Sequence, residues 1–80
     1  MKSAREMFEE LGYLKDKEPR FEALVSYTKY CVDGCCRLND LVFCQNGFST
    51  DETFISLGLL KAINQQCKEL GWLDDQRRAN

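Results

Sequence analysis

The sequence predicts an α+β domain with the element order α-β-β-β-α, an antiparallel three-stranded meander with two helices packed on one face. Three observations predict this class. Apolar residues recur at helical spacing near both ends of the chain, a run rich in β-formers lies between them, and turn dipeptides interrupt that run. With 80 residues, the chain is expected to form a single domain over residues 1–80.

The first helix is predicted over residues 3–11. Ser3 and Glu6 have the spacing of a capping box, in which the serine side chain accepts from a free backbone N–H and the glutamate reaches back. Gly12 follows the apolar pattern and predicts a left-handed helix end, which brings Tyr13 back against Phe8.

The β-meander is predicted over residues 22–45, after a charged connector at 14–20. The run from Phe21 to Val32 is rich in aromatic and β-branched residues, which favour strands. Asp33-Gly34 is a strong signal for a two-residue hairpin turn, and Asn39-Asp40 predicts a second, weaker turn. Two hairpins that share a short central strand follow from these turns.

The second helix is predicted over residues 56–70. It begins at a serine suited to cap it and carries an amphipathic stripe of apolar residues. Gly71 ends this helix, and Trp72 is expected to fold back on Cys67. The tail, residues 74–80, is expected to fray. A further turn is predicted at Asn46-Gly47, in the loop before this helix.

Composition limits the classes of function. The net charge is −2, which argues mildly against non-specific binding to nucleic acid. The chain has no histidine, the commonest general base and metal ligand, and no phosphate-binding loop or EF-hand spacing. The sequence therefore predicts a non-enzymatic protein with no catalytic residues and no cofactor.

Hydropathy predicts the compartment. No window resembles a membrane span, and the start MKSAREMFEE has no apolar signal-peptide region. We therefore expect a cytoplasmic protein without membrane contact, in a reducing environment where thiols stay free.

The stretch YCVDGCCRLNDLVFC holds four of the five cysteines. Its spacing lacks the CxxC pairs typical of zinc sites. When the chain is followed through the two predicted turns, Cys31 faces Cys36 on one side of the sheet, and Cys35 faces Cys44 on the other. The face with Cys31 and Cys36 is the more apolar and is expected to pack under the helices; it also carries Val25, Tyr27, Leu38, Leu41 and Phe43. We therefore predict no metal site: Cys31, Cys36 and Cys67 act as small core residues, and Cys35 and Cys44 form a cross-strand pair. A register slip of one residue would change every facing.

The same threading defines a candidate interaction face on the side of the sheet away from the helices. It comprises Leu24, Tyr30, Val32, Arg37, Val42 and Cys44. An apolar patch of this kind marks a protein interface, either with a second copy in a homodimer or with a host factor. Tyr30 and Arg37 leave nucleic-acid binding as the alternative, through base stacking and a phosphate contact. A cysteine-rich metal-binding or redox protein is the third hypothesis.

Two motifs carry a family resemblance. MFEELGY near the start and LLKAINQQCKELGWL near the end resemble a group of small, uncharacterised proteins from phages and prophages of Gram-positive bacteria. The resemblance covers both ends of the chain and not the cysteine-containing middle. It implies the α-β-β-β-α architecture and an accessory protein of a mobile element, acting in the cytoplasm of a bacterial host cell. It implies no activity and assigns no functional residue.

Overall fold

A computed structural model describes residues 2–73. Its elements are α1 (Ala4–Glu10), β1 (Tyr13–Lys15), β2 (Val25–Tyr30), β3 (Arg37–Phe43), β4 (Phe48–Thr50) and α2 (Leu57–Glu69). The strands form one antiparallel sheet in the order β1-β2-β3-β4. The α+β class is confirmed, but the sheet has four strands where three are predicted. The predicted frayed tail at 74–80 lies outside the described residues.

Helix α1 begins and ends at the predicted signals. The Ser3 hydroxyl accepts from the Glu6 N–H at 3.2 Å, and the Glu6 carboxylate accepts from the Ser3 N–H at 2.9 Å, which completes the capping box. Gly12 adopts a left-handed φ of +94°, and the Tyr13 ring meets Phe8 edge-on at 6.1 Å between centroids. Local sequence therefore sets where this helix begins and ends.

Helix α2 is capped in a similar way. The Ser56 hydroxyl accepts from the Leu59 N–H at 3.1 Å. At the other end Gly71 has a φ of +85°, and the Trp72 N–H donates to the Cys67 carbonyl at 2.9 Å. The chain thus reverses at Gly71 as predicted. Neither helix of residues 2–73 has the length and apolar character needed to cross a membrane.

The predicted turn at Asn39-Asp40 is wrong, because β3 runs straight through both residues. Asn39 pairs with Lys29 and Asp40 pairs with Thr28 across the β2–β3 ladder. A β-bulge at Leu38 shifts the register beside this point.

Side-chain partners distant in sequence hold these two turn-forming residues in a strand. The Asn39 amide donates to the Glu52 carboxylate at 3.0 Å, and the Asp40 carboxylate lies 3.4 Å from the Arg20 guanidinium. The chain reverses after β3 instead, at the predicted Asn46-Gly47 turn. There the Cys44 N–H donates to the Gly47 carbonyl at 2.7 Å, and β4 follows.

Strand β1 occupies the start of the segment predicted to be only a connector. Tyr13 pairs with Lys29 and Lys15 pairs with Tyr27, so β1 becomes one edge of the sheet. Because the helix end at Gly12 turns Tyr13 into the core, the next residues run alongside β2.

One hydrophobic core lies between the helices and the sheet. Its buried members are Ala4, Phe8, Tyr13, Val25, Tyr27, Leu41, Phe43, Leu59, Ala62 and Ile63. The rings of Phe8 and Tyr27 stack at 4.2 Å between centroids. The predicted burial of Val25, Tyr27, Leu41 and Phe43 is confirmed.

Three residues predicted for the same buried face lie outside this core. Cys36 is exposed, Leu38 is 51% exposed and Cys31 is only partly buried. The bulge and the loop before β3 remove these residues from the regular alternation of the sheet.

Candidate functional site

The predicted interaction face is not one continuous surface. Leu24, Tyr30, Val32, Arg37 and Cys44 are exposed, but Val42 is buried, with 6% of its surface accessible. The exposed members divide between the two ends of the β2–β3 ladder. Leu24 and Cys44 lie at one end, and the other three lie at the end where β2 passes into β3.

The connector between β1 and β2 covers the middle of this face. The Asp16 carboxylate accepts from the Ser26 hydroxyl at 2.5 Å and from the Thr28 hydroxyl at 2.9 Å. The Arg20 N–H donates to the same Ser26 hydroxyl at 3.1 Å. Ser26 and Thr28 are buried as a result. The open sheet platform on which the nucleic-acid hypothesis depends is therefore interrupted, although Tyr30 and Arg37 remain an exposed cross-strand pair.

A groove opens at the end of the sheet that carries the β3–β4 turn. We call it the Phe21 groove; its lining residues are Phe21, Glu22, Cys44, Gln45, Asn46, Gly47, Phe48 and Ser49. Phe21 has a left-handed φ of +56° and 86% of its surface exposed. Phe48 is partly exposed and stacks on the core residue Phe43 at 5.3 Å between ring centroids. The groove therefore joins an unburied aromatic ring to the edge of the core.

Three cysteines meet at the opposite end, in the loop between β2 and β3. The Cys31 N–H donates to the Cys36 carbonyl at 2.9 Å, and the Gly34 N–H donates to the Cys31 carbonyl at 2.8 Å. These bonds fold the loop so that the sulfur atoms of Cys31, Cys35 and Cys36 lie within 4.8 Å of one another. We call this group the thiol cluster. The Sγ atoms of Cys31 and Cys35 are 3.6 Å apart.

The thiol cluster corrects the prediction for the cysteines. Cys35 and Cys44 are not a cross-strand pair, because the loop containing Cys35 precedes β3 and Cys44 follows its far end. The predicted opposition of Cys31 and Cys36 is confirmed by their backbone hydrogen bond. The strand alternation assumed for Cys35 fails because residues 31–36 form a loop.

The thiols of the cluster differ in acidity. Hydrogen bonds from the side chain and backbone of Cys36, and then from Cys35, lower the pKa of the Cys31 thiol to about 6. The hydrogen bond with Cys31 raises the pKa of Cys36. Burial raises the pKa of Cys67, which lies apart on α2. Cys31 therefore holds a thiolate, the form that attacks electrophiles and binds metals, near neutral pH.

Sequence reasoning missed both the thiol cluster and the Phe21 groove. The Asp33-Gly34 turn between the cysteines was the available signal for the cluster. No local signal marks Phe21, because its conformation depends on how the connector crosses the sheet.

No protein-family model, no curated protein and no solved structure matches the chain.

Proposed function

We propose that this protein is a non-enzymatic binding domain that takes up an extended segment of a protein partner along the free edge of β4. The Phe21 groove would receive an apolar side chain of that segment. Phe21 carries the proposal. A left-handed backbone costs a residue with a side chain about 1–2 kcal/mol. Since the ring is 86% exposed, burial in the free protein does not offset that cost.

The position of β4 supports the mode of binding. Within residues 2–73, β4 pairs only with β3, so its outer edge has backbone N–H and C=O groups without strand partners. An extended segment can hydrogen-bond to such an edge and place alternate side chains in adjoining pockets. Phe48 begins β4 and lines the groove, which brings the edge and the pocket together.

The surroundings of Phe21 favour an apolar residue in the partner. The Arg20 guanidinium lies 5.8 Å from the centre of the Phe21 ring and is already paired with the Asp40 carboxylate. The charged neighbour of the Phe21 ring is therefore already paired, and the rest of the ring surface is open to an apolar side chain of the partner. The phage or prophage origin, and with it a bacterial host factor as the partner, stays a prediction from the motif resemblance.

The substitution Phe21→Gly tests the proposal. Peptides selected by display against the wild-type domain are expected to bind Phe21→Gly about tenfold more weakly, or about 1.4 kcal/mol. Thermal unfolding is expected to be unchanged or to occur at a higher temperature, because glycine accepts a positive φ without strain. Phe54→Ala is the matched control. It removes another exposed ring, with 75% of its surface accessible, outside the groove, and is expected to leave binding and stability unchanged.

Amide chemical shifts locate the binding surface. A selected peptide is expected to perturb residues 48–50 and 21–22 and to leave residues 31–36 unaffected. Equal affinity for wild type and Phe21→Gly would overturn the proposal. Failure to select any peptide, together with salt-sensitive binding of single-stranded oligonucleotides, would favour the nucleic-acid alternative. A mass that doubles with concentration, with shifts confined to β4, would identify a second copy as the partner.

A further inference from the structure

We propose that the thiol cluster binds one thiophilic metal ion through the three sulfur atoms of Cys31, Cys35 and Cys36. The cluster lies at the end of the β2–β3 ladder opposite the Phe21 groove. This inference is therefore independent of the proposed binding of a partner. It is carried by the convergence of three thiols within 4.8 Å of one another.

The sulfur spacing matches that of a shared ion. A zinc–thiolate bond is about 2.3 Å long, so two sulfurs at a tetrahedral angle about one ion are about 3.8 Å apart. Cys31 and Cys35 are already at 3.6 Å, and the third sulfur lies within 4.8 Å of both. Cys36 is exposed, so its side chain has room to rotate toward a shared ion.

The loop backbone prepares the ligands. The hydrogen bonds from Gly34 to Cys31 and from Cys31 to Cys36 fix the turn that brings the sulfurs together. Hydrogen bonds of this kind around the ligands orient a metal site and tune its affinity.

The donor set defines the class of metal. Within residues 2–73 the group consists of three thiols, without a carboxylate. Thiolates select soft or borderline ions such as Cu⁺, Zn²⁺ and Cd²⁺, and they disfavour Mg²⁺ and Ca²⁺. Because Cys35 and Cys36 are exposed, water can reach a fourth coordination position, which Zn²⁺ requires and Cu⁺ does not.

Titration of the reduced full-length chain with Cd²⁺ under anaerobic conditions tests the site. The sulfur-to-metal charge-transfer absorption is expected to saturate at one ion per chain. Cys35→Ser and Cys36→Ser are each expected to weaken binding by about tenfold or more, because each removes a ligand. Cys44→Ser is the matched control: it removes an exposed cysteine outside the cluster and is expected to bind as wild type does.

Competition identifies the ion. Zn²⁺ and Cu⁺ are each titrated against the bound Cd²⁺, and the ion that displaces it at the lower free concentration is the one that the site prefers. Circular dichroism checks that each variant is folded, which the exposure of Cys35 and Cys36 favours. Bound metal is expected to raise the unfolding temperature of the wild type and not of Cys35→Ser. Equal binding by Cys35→Ser and wild type, or an equal loss of binding in Cys44→Ser, would overturn the proposal.

Discussion

The environment of Cys31 changes the acidity of its thiol. Because hydrogen bonds from Cys36 and Cys35 lower its pKa to about 6, its thiolate predominates at pH values where Cys36 and Cys67, both with raised pKa values, stay protonated. We expect iodoacetamide to label Cys31 before these two at about pH 7. Peptide mass spectrometry over a pH series measures the order. Earlier labelling of Cys67 would contradict the prediction.

Cys36→Ala supplies the control for that measurement. It removes the side chain of Cys36, the first of the hydrogen-bonding groups that stabilise the Cys31 thiolate. The midpoint of Cys31 labelling is therefore expected to move to higher pH. A midpoint that does not move would show that another group sets the acidity of Cys31.

Tyr27 forms a hydrogen bond with a buried side-chain amide, that of Gln66. Its hydroxyl donates to the Gln66 side-chain carbonyl at 2.6 Å, and both residues are buried. Tyr27→Phe leaves that carbonyl without its partner and is expected to lower the free energy of unfolding by about 1–3 kcal/mol. Urea denaturation measures the change. Tyr30→Phe, at an exposed tyrosine of the same strand, is expected to have little effect, and equal losses in the two variants would refute this account.

At the scale of elements, the connector between β1 and β2 is held to the sheet by Asp16. Asp16→Ala removes the acceptor of two buried hydroxyls, those of Ser26 and Thr28. We expect a loss of about 1–3 kcal/mol in the free energy of unfolding and faster hydrogen exchange over residues 16–24. Lys17→Ala, at the exposed neighbour, is the control. Unchanged exchange in Asp16→Ala would show that other contacts hold the connector.

The helices could be predicted from sequence because their signals are local. Ser3, Glu6 and Gly12 act on backbone groups within one turn of themselves, and the capping box and left-handed glycine form as expected. Asn39 and Asp40 also have a local preference, which is for a turn, but they form part of strand β3 instead. Their partners, Glu52 and Arg20, are distant in sequence and outweigh the local preference.

How much of the candidate sites could be predicted also depends on whether the signals are local or distant in sequence. Cys31 and Cys36 were correctly placed opposite each other, because Asp33-Gly34 lies between them. Their convergence with Cys35 was missed, because strand alternation was extended into residues that form a loop. The exposed conformation of Phe21 depends on the path of the connector, which no local pattern encodes.

At the scale of the whole molecule, the sheet separates two chemically different ends. The soft nucleophilic sulfurs lie at the β2–β3 loop, and the aromatic groove lies at the β3–β4 turn. The core and the connector lie between them, so a substitution at one end is expected to leave the other unaffected. This separation is what allows the binding of a partner and of a metal ion to be tested independently.

The buried tyrosines predict how the whole fold responds to alkaline pH. Burial, and then the charge of Glu69, raises the pKa of Tyr27 to about 12. Burial, and then the hydrogen bond to Glu52, raises the pKa of Tyr13 still further. In the unfolded chain tyrosine titrates at about pH 10. Above that pH the folded state therefore binds more protons than the unfolded state, and the free energy of unfolding decreases as pH rises.

The stabilisation linked to Tyr27 is thus fully present below about pH 10 and is lost as the pH rises through about 12. We expect the urea midpoint to fall steeply over this interval, with tyrosinate absorbance appearing as the chain unfolds. Tyr27→Phe removes one of the two groups, so its midpoint is expected to fall less steeply, from a lower starting value. A midpoint that stays constant up to about pH 12, or an equal slope in Tyr27→Phe, would show that the core tyrosines do not control alkaline unfolding.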